Sequence, residues 1–108
     1  MKMILLLTVI IATVVGLTPA AQDHPVQFKL YGVGTASCGT WTADLNDQDM
    51  HPFELSWVLG FVSGVGWSGR DIRKTDSDGI ERWITQYCDK QPLVRLEEAT
   101  VALIRALK

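Results

Sequence analysis

The residues with the most specific chemistry in this chain are two cysteines, Cys38 and Cys88, 50 positions apart. Two thiols serve as buried hydrophobic groups, as part of a metal site, or as a disulfide. A closed metal site takes about four ligands, and the distant His24 and His51 do not supply the rest. An even cysteine count in a small exported chain reads as a disulfide. Closing a loop of about 50 residues stabilises a fold by roughly 4 kcal/mol on chain-entropy grounds. A core this small contributes only a few kcal/mol net, so the bond is expected to decide whether the chain folds.

Other motifs carry less. Gly64-Val65-Gly66-Trp67-Ser68-Gly69 fits GxGxxG, but a dinucleotide site needs a strand before the glycines and a helix after them. Here they close a helix, so packing and termination are the expected use. Gly60 and Gly64 also form GxxxG, a close-approach pattern of helix pairs. Asp76-Ser77-Asp78-Gly79 resembles part of a calcium loop, yet an EF-hand places Gly sixth and Glu twelfth. Here Gly is fourth and the twelfth residue is Tyr87, so helix capping is expected instead. No GxSxG or HExxH motif is present, and Asp47 and Asp49 sit in a polar run with no apolar cover to raise a pKa. We expect no catalytic residue, metal or cofactor. Trp67 beside Arg70 and Arg73 has the composition of an interface hot spot, which makes these three the candidate partner-binding residues.

The first 20 residues have the form of a secretory signal: Lys2, an apolar run from Ile4 to Val15, then Thr18-Pro19-Ala20-Ala21. The run is shorter than the ~20 residues that cross a bilayer. Cleavage is expected after Ala20, with Ala21 the alternative, giving a periplasmic domain with no stable membrane insertion. Removing Lys2 leaves nine Lys and Arg against twelve Asp and Glu, a net charge of −3. That balance, with no basic stripe, argues against nucleic acid as a partner.

These residues must be positioned by helices. Residues 21–36 are expected to form an extended arm, since Val26, Phe28 and Leu30 alternate with Gln27 and Lys29 and no second strand pattern follows. Residues 37–108 form the helical domain. Cys38, Trp41 and Leu45 share one helical face, capped by Thr35 or Ser37. Phe53 to Gly69 is apolar on nearly every side, so it is expected to be a central helix enclosed by its neighbours and crossed closely at its glycines. Its first turn is assigned to Pro52, with His51 in the preceding loop. Asp78 with Glu81 has capping-box spacing, and Ile80, Trp83, Ile84, Tyr87 and Cys88 form a full apolar stripe. Pro92 is expected to open a last helix along Leu93, Leu96, Thr100, Leu103 and Leu107. The fold class is therefore all-α: a small disulfide-stapled four-helix domain with an extended N-terminal arm.

The layout resembles the HdeA/HdeB periplasmic acid-stress chaperones across about residues 37 to 105. The shared features are Cys38-Gly39-Thr40-Trp41, His51-Pro52 before an aromatic-containing helix, and Ile84 to Pro92 with its Tyr87-Cys88 pair. Gly60, Gly64, Gly66 and Trp67 depart from that family. The resemblance implies chaperoning of unfolded clients in acid, where the carboxylates are neutral, the nine cations repel and a compact state loosens. The same general fold also serves periplasmic immunity proteins that neutralise type VI secretion toxins, so fold does not choose between them. An envelope interaction protein without chaperone activity is a third expectation. The expected partners are therefore proteins, including a second copy of the chain as a homodimer.

Overall fold

The computed structural model describes residues 29–108. The signal-type segment 1–20, the cleavage site and arm residues 21–28 lie outside the described residues. From 29 onward the chain runs irregularly to one turn of 3-10 helix at Val33–Thr35. Four helices follow: α1 Cys38–Asp44, α2 Met50–Trp67, α3 Ser77–Lys90 and α4 Leu96–Ala106. Cys38 and Cys88 are bonded, their Cα atoms 4.7 Å apart, tying the first turn of α1 to the end of α3.

α1 starts where Ser37 accepts the Thr40 N–H on its side chain, which settles the cap between the two expected residues. Around the disulfide the backbone forms a second tie. Cys38 N–H donates to Val94 O at 2.7 Å, Gly39 N–H to Pro92 O at 2.9 Å, and Leu96 N–H to Ala36 O at 2.8 Å. This pairing occupies Pro92–Arg95, which is why α4 begins at Leu96 and not at Pro92. Leu93, placed on the buried stripe by its spacing, is 93% exposed.

The core is built from one face of each helix. Cys38 and Trp41 come from α1, Val58 and Val62 from α2, Ile80, Ile84 and Cys88 from α3, and Leu96, Ala99, Leu103 and Ile104 from α4. The Trp41 indole N–H donates to Thr85 Oγ1 at 3.0 Å, which satisfies its polar atom inside the core. The α3 stripe packs as its periodicity predicts, but its cap does not. Asp76, not Asp78, is the N-cap and accepts the Gly79 N–H at 2.7 Å, while Glu81 is engaged by His51.

Below α2 lies Gly34, buried under Trp57, whose indole N–H donates to Tyr31 O at 2.6 Å. A Cβ on Gly34 would overlap the Trp57 ring. The Gly32–Thr35 stretch, at the end of the expected arm, is therefore held tightly by this ring.

Candidate functional site

α2 differs most from its expected environment. It begins at Met50, not at Pro52. The Asp47 carboxylate accepts the Met50 N–H at 2.8 Å and the Asp49 N–H at 2.9 Å, which holds its pKa below the usual carboxylate range. His51 and Pro52 then lie within the first turn, where a missing N–H costs nothing. The buried residues of α2 are His51, Glu54, Val58 and Val62, spaced 3, 4 and 4, a single face turned to α1, α3 and α4.

On the other face no helix among the described residues packs, and only the Gly32–Thr35 stretch meets it, at Trp57. Met50 is 41% exposed and Phe53 57%, while Trp57 and Phe61 are half-buried, with ring centroids 5.4 Å apart. Gly60 and Gly64 have nothing within 4 Å of where a Cβ would stand. This overturns the expected enclosure and the expected close helix crossing: no helix of the domain packs on these glycines. The reason is where the neighbours pack. α1, α3 and α4 hold seven, 14 and 11 residues against eighteen in α2, and all three pack on the side that carries His51, Glu54, Val58 and Val62. Glu54 is the only Asp, Glu, Lys or Arg in α2, and it is buried, so the open face carries no formal charge.

At the end of that face Trp67 is 93% exposed, the most exposed tryptophan of the described residues. Arg70 follows in the exposed connection. Arg73, predicted with them, is also exposed and reaches the end of α4. Its Nη2 donates to Ala106 O at 2.7 Å and its backbone N–H to Leu107 O at 2.6 Å. It closes the C-terminal end of α4, where free carbonyls and the helix dipole favour a cation. The three predicted residues therefore divide into Trp67 and Arg70, free of that role, and Arg73, a helix cap.

Comparison with protein-family models, curated proteins and solved structures returns no match.

A polar cluster lies on the buried side of α2. The His51 ring packs edge-on to Trp41, centroids 4.8 Å apart, and its Nε2 meets Glu81 Oε1 at 2.6 Å. Glu54 is 1% exposed. Its burial, with the Asp44 carboxylate beside it, pushes its pKa up to about 7, against a smaller opposing effect of His51. His51 Nδ1 and Glu54 Oε2 are buried without a hydrogen-bond partner. Sequence reasoning missed both residues, placing His51 in the loop before the helix and giving Glu54 no role. Counting back from Val62 and Val58 in steps of four and three gives Glu54 and His51, which was the available signal. Among the described residues no group of three or more His, Cys, Asp or Glu is arranged to hold a metal ion. No helix among them is long and apolar enough to cross a membrane.

Proposed function

We propose that this chain is a small exported, non-enzymatic protein-binding domain of the periplasm that holds unfolded protein segments against the open face of α2. One observation carries the reading: an apolar helix face from Met50 to Trp67 with no formal charge and, among the described residues, no covering helix. Large exposed apolar patches on a folded domain mark interaction surfaces. A face without charges offers no pattern to select one partner, which suits many apolar clients, as in the HdeA/HdeB chaperones. The disulfide limits how far the domain can expand when its carboxylates are neutralised, so acid can enlarge the face without dispersing the chain. The test is suppression of client aggregation at about pH 2 to 3 and at pH 7. Protection that is strongest in acid supports the reading; absence of protection at both rules it out.

A second reading rests on Trp67 and Arg70 at the end of the face. Tryptophan and arginine together are the composition of interface hot spots, and a single strong anchor favours one cognate partner, as for a toxin-neutralising immunity protein. That reading expects one stoichiometric partner captured at pH 7 when candidate effectors are supplied, with capture lost in Trp67→Ala plus Arg70→Ala. Protection of many clients without a stoichiometric partner excludes it.

A further inference from the structure

A carboxyl group removed from water needs hydrogen-bond donors or a counter-charge. Around Glu54 both are deficient. α1 sets Asp44 beside it, the connection to α2 adds Asp47, and α2 supplies His51 one turn back. From α3 comes Glu81, engaged by His51 Nε2. No lysine or arginine is among the charges acting on Glu54. On α4, Glu97 pairs with Arg95 at 3.5 Å, and Glu98 and Arg105 are exposed. When His51 Nε2–H donates to Glu81, Nδ1 is left as a bare lone pair. The two orphaned atoms, His51 Nδ1 and Glu54 Oε2, are then both acceptors. With His51 neutral the junction lacks a donor, and a proton on Glu54 supplies one toward the Asp44 carboxylate.

We propose that the Glu54 carboxyl is a proton-dependent brace at the junction of α1, α2 and α3: protonated, it holds the first turns of α2 against α1, and ionised, it loosens them. Burial and Asp44 set the exchange at about pH 7, well above the range in which free carboxylates titrate. The folded state keeps its proton where the unfolded chain has already lost it. Stability from this group is therefore greatest below the unfolded value of 4.5 and declines as pH rises through about 7. His51, on Trp41, links the change to the α1 core, and Phe53, the neighbour of Glu54, links it to the open face. The brace works whether or not anything docks on that face.

The experiment is denaturant unfolding of the disulfide-intact protein from pH 5 to pH 8, beside Glu54→Gln, which keeps the shape and carries a permanent donor. The wild-type unfolding constant is expected to rise by about two orders of magnitude across that range. The Gln variant should lose that slope. A wild-type profile that is flat or falls with pH, or a Gln variant with the wild-type slope, overturns the brace. Should Glu54→Gln not fold, the carboxyl carbon of Glu54 is followed by NMR in the wild-type protein. A midpoint between about 6 and 8 supports the proposal, and one below about 5 overturns it.

Discussion

Phe53 and Glu54 are neighbours on α2, and the carboxylate is the buried one: Glu54 is 1% exposed and Phe53 57%. The polarity of this helix is inverted at its start. Burying an ionised carboxylate among other acids is unfavourable, and leaving an aromatic ring in water forgoes roughly 1.5–3 kcal/mol of transfer free energy. Natural sequences keep such local conflicts mainly where something other than stability is served. Both costs fall on one turn of α2, so the predictions concentrate there and on the elements that hold it.

The two acids flanking the start of α2 act oppositely with pH. Asp47 is held low by the Met50 and Asp49 N–H groups, so its contribution is present above its unfolded value of 3.8 and lost as pH falls through the depressed one. Glu54 is held high, so its contribution is lost as pH rises through about 7, a change of about 3 kcal/mol at most. The thermal midpoint measured from pH 3 to 8 should therefore be highest on the acid side of neutrality. A midpoint still climbing at pH 8 would contradict the environment described for Glu54.

Gly60→Ala and Gly64→Ala should each raise stability, by up to about 1 kcal/mol, since both lie in a helix interior with nothing within 4 Å of the added methyl. Urea unfolding measures this. If a partner backbone approaches these glycines, the same substitutions should weaken its binding while the free protein gains stability. Loss of stability in the isolated domain would mean that the face is covered.

Gly34→Ala has the opposite expectation. Its methyl would meet the Trp57 ring, which Tyr31 O anchors through the indole N–H. Overpacking of this kind costs about 1–3 kcal/mol. Trp57→Phe should relieve part of the cost in the double variant, and a double-mutant cycle of unfolding free energies reads the coupling.

Trp67→Ala should leave stability within about 0.5 kcal/mol of wild type, because 93% of the side chain is already in water. Any binding that uses the open face of α2 should weaken in the same variant. Intrinsic tryptophan fluorescence gives an independent check: Trp67 is the expected source of the signal that an aqueous quencher reaches first.

The sequence made some of this legible and concealed the rest for physical reasons. The cysteine pairing was readable because only two cysteines are present, and the α3 stripe because local spacing sets it: Ile80, Ile84 and Cys88 recur on one face and are buried together. The start of α2 was not, because proline is tolerated anywhere in a first turn and does not mark which residue is first. The start of α4 was displaced by backbone pairing of Pro92–Arg95 with the beginning of α1, a long-range contact that no local pattern encodes. At the candidate site the exposure of Trp67 followed from its place at a glycine-rich helix end. The open face did not, since an all-apolar helix reads as enclosed until it is known on which side its neighbours pack. Arg73 belonged by composition to the patch and by geometry to the end of α4.

The disulfide has a consequence for digestion. Cys38 and Cys88 lie on opposite sides of the exposed connection between α2 and α3. A protease that cuts within 69–75, at Arg70 for example, severs the chain between them, yet both pieces stay covalently joined. The nicked molecule should run as one particle without reductant and separate into two chains only when the bond is reduced.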